Sequence, residues 1–316
     1  MAQMTVLVTG GAGFIGSNLV DALLADGGYR VRVLDNFSTG RRENLAHCLS
    51  SIELVEGDIR DAEIVEDAVA GVDCILHEAA LPSVPRSIKA PVTTNEVNVG
   101  GTLKLLSAAH KARVRRVVFA SSSSIYGDTQ VLPKSEDMTP KPMSPYAVTK
   151  LAGEGYLKVF ADIYEMETLA IRYFNVFGPR QDPTSQYSGV IAKFMRVALE
   201  GGRYEVRGDG LQARDFTYIE NVVNANLLAL KAQALEGQAV NVACGEMYTV
   251  LDLISAINAA AGVDLPTDYC DARTGDIMYS HASIARAESI LSYRPVVEFR
   301  EGIQRTFDWY AGQRTE

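Results

Sequence analysis

The stretch VTGGAGFIGS, residues 8–17, decides the fold of this chain. It follows an apolar run that predicts a β-strand, and it opens a helical pattern. Glycines at positions 10, 13 and 16 permit a tight turn and let a pyrophosphate approach the backbone, because no side chain stands in the way. The free amide groups at the start of the helix would face the phosphates. This segment therefore predicts a dinucleotide-binding βαβ unit.

The strand that follows bears on which dinucleotide is bound. Asp35 ends it, 19 residues after Gly16. A carboxylate there can accept hydrogen bonds from the adenosine ribose and would repel a 2′-phosphate, so NAD is favoured over NADP. Arg41 and Arg42 follow closely enough to weaken this preference for NAD, although we interpret them as solvated loop charges. Asp58, after the third strand, is a candidate partner for the adenine amino group or, alternatively, the N-cap of the next helix.

Short β-branched runs alternate with helical patterns through the first half, as in a parallel sheet covered by helices. The predicted strands are residues 5–9, 31–34, 52–56, 74–77, 116–120 and 168–173. The predicted helices are residues 13–25, 61–69, 94–112, 146–164, 190–199 and 250–261. We predict a Rossmann-type α/β fold, a doubly wound parallel sheet with a smaller C-terminal α/β lobe. The NAD-binding domain would span residues 1–174 with return segments near 221–242, and a second lobe would span residues 175–316.

Composition narrows the class of protein. Hydrophobic residues make up 47% and charged residues 22%, which excludes a disordered chain. The net charge of −9 disfavours nucleic acid as a partner, and no apolar run reaches the ~18 residues of a membrane span. No secretory signal is expected, because no basic segment precedes an apolar one. The cysteines are widely spaced, so we expect reduced thiols in a cytoplasmic enzyme and no metal site: Cys48, Cys74, Cys244 and Cys270.

The stretch SPYAVTK, residues 144–150, predicts a helix start with proline in the first turn. Tyr146 and Lys150 are four residues apart and share a helix face. Alone, this pair is typical of a packed ring beside a solvated ammonium, but a serine run at residues 121–124 ends the fifth strand, where such sheets bind ligands. A phenol titrates near pH 10, so a base at pH 7 requires a drop of about 3 units. The ammonium and a positive nicotinamide ring can provide that drop.

Further motifs extend this set along the chain. They are IYG at 125–127, RYFNVFGPRQ at 172–181, GDGLQARDF at 208–216, RTGD at 273–276 and YRP at 293–295. Together the motifs resemble those of the extended short-chain dehydrogenase/reductase superfamily. More narrowly, the chain resembles its NAD-dependent nucleotide-sugar epimerases, the UDP-glucose and UDP-N-acetylglucosamine 4-epimerases. The resemblance covers essentially all 316 residues.

The resemblance implies roles for individual residues. Ser122 would be the catalytic hydroxyl, Tyr146 the acid/base, and Lys150 the group that lowers its pKa and holds the nicotinamide ribose. The residues expected around NAD are Gly10, Gly13, Phe14, Ile15, Gly16, Asp35, Asn36, Ser38, Thr39, Gly40, Asp58, Ile59, Ala79, Ala80, Leu81, Asn98, Ser121, Tyr146, Lys150, Tyr173 and Val176. Those expected around the UDP-sugar are Ser83, Arg86, Ser122, Ser123, Tyr146, Asn175, Gly189, Val190, Val206, Arg214, Arg273, Asp276 and Ser280. Among these, Arg214 and Arg273 would clamp the diphosphate.

The positions after Ser122 distinguish the chemistries of the superfamily. Its dehydratases carry an Asp-Glu pair there and its decarboxylases a Glu, whereas this chain has Ser123 and Ser124, which cannot act as carboxylate bases. The resemblance therefore implies oxidation and reduction at one carbon. Tyr146 would take the 4-hydroxyl proton while NAD takes the hydride. The 4-ketose would then turn about its diphosphate linkage and regain the hydride on its other face.

Three features bear on the sugar. Asp182 lies where uronate epimerases often carry a cation, which favours a neutral hexose, and residues 81–87 resemble epimerases of N-acetylated sugars. Ser280 falls where the family places a gate beside the sugar, and a small residue there admits an N-acetyl group. We predict activity on UDP-glucose/UDP-galactose and on UDP-N-acetylglucosamine/UDP-N-acetylgalactosamine. If the register slips by one residue, Tyr279 is the gate and the N-acetyl prediction reverses.

Alternatives remain open. Among enzymes, the alternatives are a UDP-glucuronate 4-epimerase and a net-redox nucleotide-sugar reductase. The alternative from a different class is a non-catalytic NAD-binding partner.

The resemblance also implies a homodimer through helices 94–112 and 146–164. Their apolar faces serve equally for packing on the sheet: Val99, Leu103, Leu106, Leu151, Leu157 and Phe160.

Overall fold

The computed structural model describes residues 3–182, 189–271 and 278–313. The strands are β1 (Met4–Thr9), β2 (Tyr29–Asp35), β3 (Ile52–Glu56), β4 (Cys74–His77), β5 (Arg116–Ser122), β6 (Glu167–Tyr173), β7 (Val176–Phe177), β8 (Tyr204–Arg207), β9 (Ala213–Arg214), β10 (Thr217–Tyr218), β11 (Glu236–Val242), β12 (Tyr248–Thr249), β13 (Thr267–Cys270) and β14 (Tyr279–Ser280). The helices are α1 (Phe14–Asp26), α2 (Ala62–Val69), α3 (Val84–Lys89), α4 (Pro91–Asn95), α5 (Thr102–Lys111), α6 (Pro145–Tyr164), α7 (Val190–Glu200), α8 (Ile219–Lys231), α9 (Val250–Ala261), α10 (Ala285–Leu291) and α11 (Phe299–Gly312).

Seven parallel strands form the central sheet, in the order β11-β6-β5-β4-β1-β2-β3. The strand order reverses between β1 and β4, and ligands of open α/β sheets bind at the carboxyl ends of strands beside such a reversal. The side chains of β4 are all buried, as expected where helices cover both faces of a parallel sheet. The predicted Rossmann-type fold is confirmed.

Two hydrophobic clusters lie on the two faces of the sheet. One contains Leu19 and Leu23 of α1 together with Ala225 and Ala229 of α8. The other unites α2, α5 and α6 over the opposite face; its largest contributions from these helices are Val65, Val69, Leu105, Leu106, Leu157 and Phe160. Buried apolar area of this kind is the main favourable contribution to folding.

Residues from the second half of the chain complete the sheet. Strand β11 pairs with β6, with Val240 opposite Ile171. Helix α8 is fixed by the fully buried Arg116, whose guanidinium donates to the carbonyls of Ala229 and Leu230, each at 2.7 Å. These carbonyls belong to the last turn of α8, where no partner within the helix is available. The division between lobes at residue 174 stays a prediction.

The segment predicted as one helix over residues 94–112 is divided. It consists of α4, a π-helical turn over Glu96–Gly101, and α5, so the prediction of a continuous α-helix was wrong. The chain passes close to its neighbours here, since a Cβ on Gly101 would lie 2.6 Å from the Ile59 side chain. The π turn carries Asn98, which is buried and bonds to a loop of the site described below.

Candidate active site

The glycine turn is packed too closely for side chains. Gly10 has a φ of +70°, and a Cβ there would lie 2.8 Å from the amide nitrogen of Ala79. A Cβ on Gly16 would lie 2.2 Å from the carbonyl oxygen of Gly10. The amide of Gly13 donates to that same carbonyl at 3.0 Å and closes the turn. The open backbone and the N-terminus of α1 suit a pyrophosphate.

Asp35 ties the end of β2 to this turn. One carboxylate oxygen accepts the Ala12 amide at 2.9 Å, and the other accepts the Phe37 amide at 2.8 Å. Burial raises the pKa of Asp35, and these two backbone hydrogen bonds oppose the rise. Gly40 lies against the same carboxylate, where its Cβ would come within 3.0 Å of an oxygen. Each carboxylate oxygen keeps a further lone pair, so the group can still accept from a ribose.

Asp58 does not cap helix α2, which was the alternative predicted for it, because Asp61 caps that helix. Instead Asp58 accepts the Arg60 guanidinium at 2.8 Å and the Asn36 amide at 2.8 Å. The hydrogen bond from Arg60 is the main reason that the pKa of Asp58 falls to about 2. A carboxylate held ionised at this edge is a suitable acceptor for an amino group.

The two arginines beyond β2 are exposed but carry specific partners. Arg42 pairs with Glu56 at 2.5 Å and lies 4.0 Å over the ring of Phe37. Arg41 pairs with Asp182 at 2.7 Å, across the mouth of the dinucleotide cleft. The charge of Asp182 is thereby offset by Arg41, which weakens the expectation that it would repel a uronate carboxylate.

A cleft of about 790 Å³ opens from the glycine turn along the carboxyl ends of β1, β2 and β4. It contains fourteen of the residues predicted to bind NAD: Gly10, Gly13, Phe14, Ile15, Gly16, Asp35, Asn36, Ser38, Thr39, Asp58, Ile59, Ala79, Ala80 and Leu81. Of the residues predicted to bind the sugar nucleotide, it contains Ser83, Arg86 and Gly189.

Seven predicted cofactor residues lie outside the lining of the cleft: Gly40, Asn98, Ser121, Tyr146, Lys150, Tyr173 and Val176. Asn98 holds the loop after β4, since its amide oxygen accepts the Leu81 amide at 2.7 Å. Ser121 is buried and bonds the carboxylate of Glu154. Val176 is a half-buried residue of β7 that packs against the main hydrophobic cluster. We therefore infer that Asn98 and Ser121 act by supporting the site.

Ser122 and Tyr146 meet at the carboxyl end of β5. Ser122 is the last residue of that strand, and its hydroxyl accepts the Ser124 amide at 3.1 Å. Helix α6 begins at Pro145, because Ser144 caps it by accepting the Ala147 amide at 3.2 Å. Tyr146 therefore lies in the first turn of α6, where its side chain hydrogen-bonds Ser122.

Lys150 follows one turn later on α6 and is only 3% exposed. Its ammonium donates to the Ala120 carbonyl at 2.7 Å and lies 5.9 Å from the centre of the Tyr146 ring. Burial raises the pKa of Tyr146 to about 12, while the Ser122 hydrogen bond lowers it and the charge of Glu78 adds to the rise. This direction is opposite to the one expected from the sequence, because desolvation of the phenol is the largest influence on its pKa.

The sequence interpretation missed a half-buried carboxylate beside this set. Glu78 follows β4 and lines the cleft, and its carboxylate accepts the Tyr173 hydroxyl at 2.8 Å. Asn226 of α8 donates to the Tyr173 oxygen at 2.9 Å. Burial raises the pKa of Glu78, opposed by the Tyr173 hydrogen bond and the charge of Lys150. A carboxylate immediately after four buried residues was the available signal, since strand ends bind ligands.

A second missed feature is the ion pair beneath Ser121. Arg172 donates to both oxygens of Glu154, at 2.9 and 2.7 Å, and both side chains are nearly inaccessible. Its remaining guanidinium nitrogen donates to the Tyr126 hydroxyl at 2.8 Å. The pair links α6, which carries the Tyr–Lys pair, to β6 and to the turn after β5.

The predicted substrate residues occupy several elements. Ser83 caps α3 by accepting the Arg86 amide at 3.1 Å. In the turn after β5, Ser123 is half-buried, and among the described residues no group hydrogen-bonds the buried hydroxyl of Ser124. Val190 is the first residue of α7, immediately after Gly189.

The others belong to the C-terminal lobe. Asn175 donates to the Asp215 carbonyl at 2.8 Å, and Arg214 in β9 is half-buried. Val206 is 1% exposed and buried in the hydrophobic core, so only its backbone is available to a ligand. Ser280 is 6% exposed. Arg273 and Asp276 lie outside the described residues.

Comparison with known proteins defines the class. The model of the NAD-dependent epimerase/dehydratase family matches residues 6–243. The UDP-glucose 4-epimerase of Mycolicibacterium smegmatis is 41% identical over 311 residues, covering 97% of this chain and 98% of the relative. The chain therefore belongs to the NAD-dependent epimerase/dehydratase family, and NAD is its cofactor.

Solved structures narrow this class. The UDP-N-acetylglucosamine 4-epimerase of Methanobrevibacter ruminantium, in complex with UDP-N-acetylmuramic acid, superposes with a TM-score of 0.94 at 38% identity, covering 99% of this chain and 100% of that one. The UDP-glucuronic acid 4-epimerase of Bacillus cereus, with UDP-glucuronic acid and NAD, has a TM-score of 0.88 at 30% identity, covering 98% and 100%. The chain is thus an isomerase of the UDP-sugar 4-epimerase group. Within the described ranges, no helix has the length and apolarity to cross a membrane.

Proposed function

We propose that this chain interconverts the carbon-4 epimers of UDP-glucose and of UDP-N-acetylglucosamine through a transient 4-keto sugar. The observation that carries this proposal is the meeting of Ser122, Tyr146 and Lys150 at the end of β5, beside the dinucleotide cleft. A hydroxyl that orients, a phenol that exchanges a proton and an ammonium that favours the phenolate are the groups that oxidation of a secondary alcohol requires.

Each residue has a separate task in this reaction. Tyr146 accepts the proton of the 4-hydroxyl group, and Ser122 holds the substrate oxygen in line by a hydrogen bond. When bound, NAD would supply the acceptor for the hydride of carbon 4 and the donor that returns it to the opposite face of the ketone. Lys150 would favour the phenolate of Tyr146 against burial, which raises the pKa of that residue. Tyr146 then returns its proton to the new alkoxide.

The described residues suit NAD at three points. The open backbone of the turn at Gly10 and Gly16 would hold the pyrophosphate. Asp35 would accept from the adenosine ribose and would repel a 2′-phosphate. Asp58, ionised beside Arg60, would accept from the adenine amino group. We propose that residues 1–174 and the segment near 221–242 form the NAD-binding domain and residues 175–316 the nucleotide-sugar lobe.

The burial of Ser280 supports activity on N-acetylated sugars. Ser280 is 6% exposed, whereas Tyr279 is 44% exposed. Adjacent residues of a strand point to opposite faces, so the small side chain of Ser280 faces inward and the ring of Tyr279 faces outward. This register favours Ser280 as the gate. Arg214, with Arg273 beyond the described residues, is proposed to bind the diphosphate.

A second candidate substrate is UDP-glucuronate. The ion pair with Arg41 offsets the negative charge of Asp182, so Asp182 would repel the carboxylate of a uronate less. The test supplies purified holoenzyme with UDP-glucose, UDP-N-acetylglucosamine or UDP-glucuronate and no added nucleotide. Formation of the 4-epimers of the first two, with no net NADH, is expected. Turnover of UDP-glucuronate alone would favour the second candidate, and a requirement for stoichiometric NADH would indicate a reductase.

A homodimer in the cytoplasm is also proposed. Exposed apolar residues recur along one side of α6, and Val92 of α4 is 69% exposed; those of α6 are Val148, Val159 and Ile163. In contrast, Leu106, Leu157 and Phe160 of the predicted dimer face are buried against the sheet, so they belong to the core. The four free cysteines suit a reducing compartment. Light scattering should give twice the chain mass, and Ile163→Glu should lower it, whereas a charge at exposed Val296 should not.

A further inference from the structure

Glu78 is a carboxylate that the reaction outlined above does not use. Its amide donates to the Thr9 carbonyl at 3.1 Å, so the pairing of β4 with β1 continues to this residue. Its side chain lines the cleft. A Cβ on Gly10 would lie 3.0 Å from the carbonyl carbon of Glu78, so the two backbones are closely packed. A charge at this point lies between the phosphate-binding turn and the Tyr–Lys pair.

A directed chain of hydrogen bonds holds the carboxylate. The two amide hydrogens of Asn226 are donated to the Tyr173 oxygen and to the Val222 carbonyl, each at 2.9 Å. The Tyr173 oxygen is therefore an acceptor toward Asn226, and its single proton is left for Glu78, at 2.8 Å. An ionised carboxylate is the strongest acceptor that a side chain can present to this hydroxyl.

The groups of α6 that face Glu78 are proton-bearing or positive. Its charge opposes the fall that burial causes in the pKa of Lys150, and it adds to the rise in the pKa of Tyr146. The other carboxylate acting on Lys150 is Glu154, whose charge is compensated by the bidentate ion pair with Arg172. Glu78, in contrast, is bonded to the neutral hydroxyl of Tyr173. Its negative charge is therefore the less compensated of the two.

We propose that Glu78 is a positioning residue of the epimerisation, which holds Tyr173 in the cleft and supplies the negative charge that faces Lys150 and Tyr146. This inference rests on the proposed function. A neighbouring anion favours the protonated forms of the groups around it, so Glu78 makes loss of the first proton from the Tyr146–Lys150 pair harder. It thereby sets the pH range in which the base is available.

Two variants separate the charge from the hydrogen bond. Glu78→Gln removes the charge and keeps an oxygen that can accept from Tyr173, whereas Tyr173→Phe removes the hydrogen bond, which lowers the pKa of Glu78, and keeps the carboxyl group. Each holoenzyme is titrated by phenolate absorbance. Because the chain has 14 tyrosines, the signal of Tyr146 is isolated by subtracting the same variant carrying Tyr146→Phe.

We expect Glu78→Gln to lower the apparent pKa of the pair by about one unit or more, the lower end of the effect of a nearby charge. The acid limb of kcat against pH should move with it. Tyr173→Phe should lower the apparent pKa by less than Glu78→Gln, because the carboxyl group remains although loss of the hydrogen bond raises its own pKa. If Glu78→Gln does not fold, Glu78→Met, which also removes the charge, carries the same expectation.

An unaltered titration in the charge-free variant, with bound NAD retained, overturns the proposal, because a residue that only fills space leaves the proton affinity of Tyr146 unchanged. The titration needs no turnover. A wild-type protein that epimerised no UDP-sugar would therefore refute the proposed function without deciding the role of Glu78.

Discussion

Removing Arg172 should destabilise the protein strongly while leaving the surface unchanged. Arg172→Met takes away both hydrogen bonds to Glu154, at 2.9 and 2.7 Å, and the one to Tyr126 at 2.8 Å. The carboxylate of Glu154 then remains with Ser121 as its neutral partner. Because the side chains of the pair are only 5% and 9% exposed, water cannot replace the guanidinium.

The size of the effect follows from this burial. Breaking a buried ion pair on one side costs about 3–5 kcal/mol, since it leaves an uncompensated charge. Urea unfolding with NAD at saturation should therefore give a free energy of unfolding lower by about that amount, at an unchanged m-value. Adding Glu154→Gln to Arg172→Met removes the orphaned charge, so the double variant should recover part of the loss.

A surface ion pair provides the matched control. Arg196 and Glu200 form a 2.9 Å pair on α7 with side chains 51% and 46% exposed. Arg196→Met should cost no more than about 0.5 kcal/mol. A cost below about 1 kcal/mol for Arg172→Met, or a double variant as unstable as the sum of its single changes, would refute the reasoning that desolvation dominates at this pair.

Three further changes test other parts of the site. Gly16→Ala should leave a folded protein with little bound NAD, because the new Cβ would lie 2.2 Å from the Gly10 carbonyl; full NAD content after gel filtration would contradict this. Asp58→Asn should lower stability by about 2 kcal/mol near neutral pH. The pKa of Asp58 is depressed to about 2, so the wild-type advantage is complete above the unfolded pKa and vanishes as pH falls through about 2; a difference independent of pH would contradict the linkage. Ser280→Tyr should reduce turnover of UDP-N-acetylglucosamine relative to UDP-glucose by at least about tenfold, whereas Tyr279→Ser, at an exposed position, should not change the ratio.

Local signals account for what the sequence predicted well. The glycine turn and the strands around it are specified by residues close together in the chain, so β3 and β4 have the predicted bounds. The start of α6 was likewise encoded locally by Ser144 and Pro145. The π-helical turn between residues 94 and 112 was not predicted, since periodicity does not distinguish a π-helical turn from an α-helical one.

Long-range partners account for what the sequence left out. The bond of Glu78 to Tyr173 joins residues 95 positions apart, and the ion pair of Arg172 joins residues 18 apart. No periodic pattern links such positions. The sequence left open whether the apolar residues of helices 94–112 and 146–164 face the sheet or a partner for a related reason: a helix with apolar residues on two sides does not reveal which side the sheet covers. Leu157 is on the covered side.

The fate of the hydrogen on carbon 4 tests the central claim most directly. Holoenzyme is incubated with UDP-glucose deuterated at carbon 4, in ordinary water and without added nucleotide, and the UDP-galactose formed is analysed by mass and NMR. Because Tyr146 exchanges only the hydroxyl proton, the account predicts that the product keeps its deuterium at carbon 4. Loss of the label to water, or UDP-galactose with an unlabelled carbon 4, would contradict it.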